Sequence, residues 1–286
     1  GAGYIGSALL PKLLHSGYKV RILDLFLYGE QAIKPYLEHK NLTIIRADFR
    51  QIDRIVEAVQ GVGSVIHLGA IVGDPACALS EDLTIEVNLM ATKMIAEICK
   101  GYGVRRFVFA STCSVYGASD EILNENSRLR PVSLYARSKI ASENVLHEMA
   151  DENFAPVILR FGTVFGNSGR TRFDLVVNIL TARACFDKKF TLFGGDQWRP
   201  FLHVDDAAGA AFKALEAPVA SVYDETFNVG DNQNNYTLQQ VAELVKAEVA
   251  GSEYADMGRD GDRRNYRVDF SKINQKMRFK AKWTVV

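Results

Sequence analysis

Tyr135 and Lys139 stand four residues apart in SLYARSKIASENV, a segment whose Leu134, Ala141, Val145 and Met149 recur at helical spacing. Residues four apart share one face of a helix. An ammonium beside a phenol lowers the phenol's pKa and lets it exchange protons near neutral pH, as oxidation of an alcohol requires. The pair by itself is common, and a surface tyrosine beside a solvated lysine is its ordinary meaning. Its neighbour RFVFASTCSVYG gives it another, because that strand ends in Ser111, Thr112, Cys113 and Ser114. Hydroxyls there sit at the carboxyl edge of a sheet, where they can hold a substrate oxygen.

A second constellation opens the chain: GAGYIGSALLPKLLHSGYKVRILD, residues 1 to 24. Gly1, Gly3 and Gly6 precede Leu9, Leu10, Leu13 and Leu14 at helical spacing, and Gly17 stands where a helix would stop. YKVRILD then reads as a strand tipped by the carboxylate of Asp24. A glycine turn feeding a helix, followed by a strand with an acid at its end, sets a pyrophosphate on a helix N-terminus and a carboxylate on a ribose. A glycine triplet alone is weak; the downstream acid strengthens the reading of a dinucleotide site. Pro11 should bend the helix.

The elements that must position these groups alternate along the chain. Strand-like runs are KVRILD (19 to 24), LTIIRAD (42 to 48), SVIHLGA (64 to 70), RFVFAST (106 to 112) and PVILRF (156 to 161). Helical periodicity fills IDRIVEAVQ, IEVNLMATKMIAEICK and SLYARSKIASENVLHEMA. Apolar strands alternating with helices predict a parallel α/β sheet covered on both faces, with ligands outside the carboxyl ends of its strands. After Phe161 the pattern becomes irregular, with GNSGRTR and FGGDQWRP as glycine and arginine loops, and that region reads as a substrate lobe.

With 286 residues, 48% hydrophobic and 24% charged, the chain has the composition of a globular protein large enough for one α/β domain with an appended lobe. Lys plus Arg and Asp plus Glu number 34 each, so no basic field attracts nucleic acid and any anionic ligand must be met locally. Cys77, Cys99, Cys113 and Cys185 form no C-x-x-C pair, which suits a reducing, cytoplasmic setting. No apolar run is long enough to span a membrane. No clustered His, Cys and carboxylate spacing suggests a metal site, and His67 and His203 read as packing residues.

In combination these motifs resemble the extended short-chain dehydrogenase/reductase family, and within it the NAD-dependent nucleotide-sugar epimerases and dehydratases typified by UDP-glucose 4-epimerase. The resemblance rests on GAGYIG then LD, on AD at Ala47 and Asp48, HLGA, VN with Asn88, STCSVYG, YARSK, RFGTVFG, RPFLHVDDAA and FNVG. It implies a Rossmann-type doubly wound parallel sheet with a smaller C-terminal substrate-binding lobe. Residues 1–161 would form the NAD-binding domain, with 200–230 returning to it, and 162–199 with 231–286 would form the lobe. The family's phosphate loop follows a first strand and an earlier glycine, so the numbering would begin inside the site, and KWTVV resembles a place where the family continues into a last helix.

The resemblance also assigns roles. Gly3, Tyr4, Ile5 and Gly6 match the phosphate loop, Asp24 the residue on the adenosine ribose, and Asp48 with Phe49 the adenine side. Leu68, Gly69 and Ala70, in the HLGA motif that ends a strand-like run, match cofactor contacts, and Asn88 matches an asparagine supporting the strand edges near the nicotinamide. Leu25 and Phe26 stand where an NADP enzyme would more often offer an arginine, which favours NAD. Thr112, Tyr135 and Lys139 match the catalytic set, Lys139 also binding the nicotinamide ribose. Arg199 and Arg259 match the arginines for a sugar nucleotide's diphosphate, Asn178 a nucleotide contact, and Thr163 a sugar-pocket position more often asparagine. Val72 likewise replaces a lysine, implying an altered sugar pocket.

Three chemistries share such a scaffold. Dehydratases carry an acidic pair after the catalytic Ser/Thr, whereas Cys113 and Ser114 follow Thr112 here, so elimination lacks its acid and base. Cys113 is also one residue short of the cysteine position of the 3,5-epimerases and reads as packing. The expectation is therefore 4-epimerisation of a nucleotide-diphosphate sugar, with NAD(P)H-dependent 4-ketoreduction as the alternative and a non-catalytic nucleotide- or RNA-binding relative behind both. The family habit of pairing two long helices per subunit suggests a homodimer.

Overall fold

The computed structural model describes residues 1–258 and 264–285. Four parallel strands form its main sheet in the order Glu225–Val229, Ala155–Phe161, Arg106–Thr112 and Ser64–His67. Val20–Asp24 and Leu42–Arg46 form a separate parallel pair. The β-branched and aromatic content of these runs suits a pleated surface. Every residue of Ala155–Phe161 is buried, as a strand covered on both faces must be.

Alternating side chains divide the strands between two cores. Phe107, Phe109 and Ile158 meet Ile55, Ile95, Cys99 and Leu146 on one face. Val108, Val157, Leu159 and Phe227 meet Leu9, Leu13, Ile273 and Met277 on the other. On that second face helix Tyr4–His15 packs beside helix Val204–Glu216, whose Ala207, Ala208, Ala210, Ala211 and Ala214 are fully buried. Methyl side chains let the two helices lie close. Helix Tyr4–His15 runs through Pro11 to His15 without interruption.

Downstream, Thr163–Phe165, Trp198–His203 and Asn235–Thr237 form a small mixed sheet, and Lys189–Leu192 pairs with Glu253–Asp256. Helices Val176–Asp187 and Leu238–Glu248 close over these strands around Phe190, Leu192, Phe201 and Val241. Ala118–Leu123 pairs with Asn265–Val268. The parallel main sheet turns the carboxyl ends of its strands to one edge, so His67, Thr112, Phe161 and Val229 finish together and face the start of the small sheet. Among the described residues no helix is long and apolar enough to cross a membrane.

Candidate active site

At that edge the strand Arg106–Thr112 delivers Thr112 into the 3-10 turn Cys113–Tyr116, where its Oγ1 accepts from Ser114 N at 3.1 Å. Helix Leu134–Glu148, capped by Ser133 Oγ accepting from Ala136 N, brings the half-buried Tyr135 phenol up beside the Thr112 side chain. Burial pushes the phenol's pKa up; the Arg172 guanidinium and the Thr112 side chain oppose it. Lys139, one turn on and 3% exposed, donates to Ala110 O at 2.8 Å and lies 4.6 Å from the centre of the Phe109 ring. Burial draws its pKa down to about 8. The sequence pattern pairs Lys139's charge with the phenol; in the structure the ammonium turns to the strand and Arg172 carries the opposing charge.

Asn88 ties the neighbouring loop to that helix. Its Oδ1 accepts from Ile71 N at 2.8 Å, and its Nδ2 donates to Ile71 O at 2.9 Å and Ser138 Oγ at 3.2 Å. It lies in a π-turn, Glu86–Met90, interrupting what periodicity predicts as one helix; its carbonyl accepts from Thr92 Oγ1 at 2.7 Å and Ser142 Oγ at 2.8 Å. Such turns often mark functional sites.

The glycine loop lies at the head of helix Tyr4–His15. Gly3 caps it in extended conformation with no side-chain cap, the first turn holds no acid, and a Cβ on Gly3 would meet nothing within 4 Å. A Cβ on Gly6 would meet the Gly1 carbonyl oxygen at 1.9 Å, so only glycine fits between loop and helix. Asp24 accepts from Ala2 N and Phe26 N at 2.8 Å each, which fixes its carboxylate at the strand tip. Asp48 is paired with Arg50, Nε to Oδ2 at 2.9 Å, and that hydrogen bond with the guanidinium holds its carboxyl below the usual range. Phe49 lies against the Leu68–Ala70 segment, where a Cβ on Gly69 would come 2.6 Å from its ring.

Across the edge lies the loop Gly166–Arg172. Tyr4 OH donates to Gly166 O at 2.7 Å, and Asn178 accepts from Gly166 N at 2.9 Å while donating to Tyr4 OH at 3.2 Å and Arg172 O at 2.8 Å. The buried Asn178 amide thus shapes this loop. Arg172, anchored on Asp174, stands with Nη2 3.9 Å from where a Cβ on Gly73 would lie. Nothing in the spacing of GNSGRTR singles it out. Thr163 opens the half-buried strand Thr163–Phe165. Arg199 is 5% exposed, its guanidinium donating to Gln197 Oε1 at 2.6 Å, Trp198 O at 2.9 Å and Arg264 O, with the Tyr266 ring 5.7 Å away. Arg259 lies outside the described residues. Both histidines read as packing do pack: His203 Nδ1 accepts from Asp205 N and its ring stacks on Trp283, while His67 meets Thr92 Oγ1 at 3.1 Å among Phe49, Phe107 and Phe109.

The profile of the NAD dependent epimerase/dehydratase family matches residues 1–230. The chain belongs to that family. Among curated relatives, the uncharacterized UDP-glucose epimerase YtcB of Bacillus subtilis is 30% identical across 97% of this chain and 90% of its own length. The UDP-glucose 4-epimerase of the same organism is 29% identical across 99% and 91%. Among solved structures, UDP-glucuronic acid 4-epimerase from Bacillus cereus, in complex with UDP-glucuronic acid and NAD, superposes with a TM-score of 0.87 at 26% identity, covering 99% of this chain and 93% of that one.

Membership makes NAD the cofactor and the chain an enzyme. The residues fit the dinucleotide: an uncapped, acid-free helix N-terminus suits a pyrophosphate, and a fixed carboxylate at a strand tip suits a ribose diol.

Proposed function

We propose that this family member is a 4-epimerase of a nucleoside diphosphate sugar. The observation that carries the reading is the half-buried Tyr135 phenol beside the Thr112 side chain at the sheet's carboxyl edge, within the field of the Arg172 guanidinium. Tyr135 removes the proton of the sugar's C4 hydroxyl while Thr112 holds that oxygen. NAD held there would supply the acceptor for the C4 hydride and the source for its return to the other face of the keto sugar. Lys139 would hold the nicotinamide ribose, and Gly3 to Gly6, Asp24, Asp48 and Asn88 would hold the rest of the dinucleotide. Arg199 and Arg259 serve the diphosphate, with Asn178 and Thr163 shaping the pocket. No carboxylate follows Thr112, which leaves elimination without its acid and base, and the same set would serve a 4-ketoreductase only with NAD(P)H consumed.

Arg172 favours a second, narrower reading: a sugar bearing a carboxylate near C4, since a guanidinium binds carboxylates in a bidentate fork. The Bacillus cereus structure, solved with UDP-glucuronic acid, supports it. The test is turnover of UDP-glucose and UDP-glucuronate by the NAD-loaded chain. We expect the C4 epimer of one of them, and in Tyr135→Phe a loss of turnover of about a hundredfold or more with NAD binding retained. Full turnover by Tyr135→Phe would refute the assignment.

A further inference from the structure

The last three residues of the strand Arg106–Thr112 have separate partners. Ala110 offers its carbonyl to Lys139, the Thr112 side chain lies beside the Tyr135 phenol, and Ser111 donates its Oγ hydrogen to Glu143 Oε1. Ser111 shares the sheet face of Phe107 and Phe109, the one covered by helix Leu134–Glu148. On that helix Tyr135, Lys139 and Glu143 follow one another at intervals of four, in a single row.

Glu143 is 2% exposed. Arg160, 5% exposed on the next strand, binds it from the side: Nε to Oε1 at 3.1 Å and Nη2 to Oε2 at 2.6 Å. Arg160 Nη1 also donates to Tyr116 OH at 3.1 Å, and Tyr116 OH to Asn228 Oδ1 at 2.7 Å. Glu143, Arg160 and Tyr116 are thereby joined in one buried hydrogen-bonded chain. A buried ion pair is not needed for stability as such, because apolar side chains of equal volume commonly serve as well or better. What they would not supply is a link from Ser111 into the helix and a negative charge one turn from a buried ammonium.

The charged and titratable groups facing Lys139 are few. Glu143 and Tyr135 stand on its own helix, the Cys77 thiol on helix Asp74–Ala78, and His67 on the adjoining strand, kept neutral by burial with its pKa near 3. Arg160, across the sheet, is engaged with Glu143. Of these, Glu143 supplies the carboxylate that favours the charged form of Lys139 against its burial.

We propose that Glu143 is a positioning residue: clamped by Arg160 and joined to Ser111, it locks the strand end carrying Thr112 onto the helix carrying Tyr135 and Lys139, and it sets a negative charge facing the Lys139 ammonium. This rests on the reading of Thr112, Tyr135 and Lys139 as the reacting set. Losing the link displaces groups that must meet one oxygen, and small misplacements cost rate rather than binding. Losing the charge makes Lys139 release its proton at lower pH, so the alkaline limb of the rate profile moves down.

The test uses the NAD-loaded full chain with UDP-glucose and UDP-glucuronate as probes, with kcat and KM followed between about pH 6 and pH 10. Glu143→Gln is expected to lower kcat about tenfold or more, to change KM less than about threefold, and to shift the alkaline limb to lower pH. Glu143→Asp, which keeps the charge, is expected to restore the limb. A wild-type kcat and limb in Glu143→Gln would overturn the proposal. Should that variant fail to fold, Ser111→Ala decides, since it cuts the link and keeps the ion pair: kcat reduced at constant KM supports the role, and a wild-type kcat overturns it. Tyr135→Phe separates the two layers. An active Tyr135→Phe defeats the catalytic reading itself, whereas an inactive one beside a wild-type Glu143→Gln defeats only the positioning role.

Discussion

A phenol half-buried at the carboxyl edge of a sheet resists ionisation, and at Tyr135 the groups that oppose burial are Arg172 and Thr112. That Tyr135 and Lys139 share a helix face, and that hydroxyls from Ser111 to Ser114 end an apolar strand, is legible from spacing because both are local geometric facts; singling out Thr112 takes the family resemblance. Arg172 is not legible from spacing, since its loop has no period and its position depends on Asn178, Tyr4 and Asp174. Replacing Arg172 should therefore be informative. In Arg172→Gln the phenol loses a positive charge that opposes its burial, so the acid limb of the rate profile should move to higher pH. If the substrate carries a carboxylate, turnover of UDP-glucuronate should also fall about tenfold or more relative to UDP-glucose, as expected where a charged hydrogen bond is lost. Equal losses on both sugars would exclude the uronate reading while leaving Arg172's effect on Tyr135 intact.

At the scale of elements, periodicity locates the strands to within a few residues and Arg106–Thr112 in full. It misses the break in 85–100, where the π-turn at Glu86–Met90 is set by bonds to Ile71, Ser138 and Ser142, all distant in sequence. A lone asparagine in an apolar helical pattern carries no sign of such partners. Asn88→Ala would leave the Ile71 amide and carbonyl without their partners inside a half-buried loop. The expected cost is about 1–3 kcal/mol in denaturant unfolding. NAD affinity should weaken with it, because Leu68 to Ala70, which we propose line the cofactor, lead into that loop. An unchanged unfolding midpoint would show that water replaces the amide at no cost.

Taken whole, the molecule is a parallel sheet whose carboxyl edge faces a second set of strands, and the site forms where the two meet. The alternation of apolar runs and helices makes the sheet readable, since strands covered on both faces must be apolar along their length. The irregular second half is less so: its core joins short strands to helices Val176–Asp187 and Leu238–Glu248, and the tail is held by Asp206, which accepts from Lys282 N and Trp283 N at 3.0 Å. No periodic signal marks a carboxylate that binds backbone from the far end of the chain. Such a fold serves epimerisation only if hydride leaves and returns within one closed site. The most direct test is to supply the nucleotide sugar with deuterium at C4 and NAD as the only added cofactor. The account predicts the C4 epimer with deuterium retained at C4 and no net NADH. Deuterium lost from the product, or no epimer together with NADPH-dependent consumption of a 4-keto sugar, would contradict it.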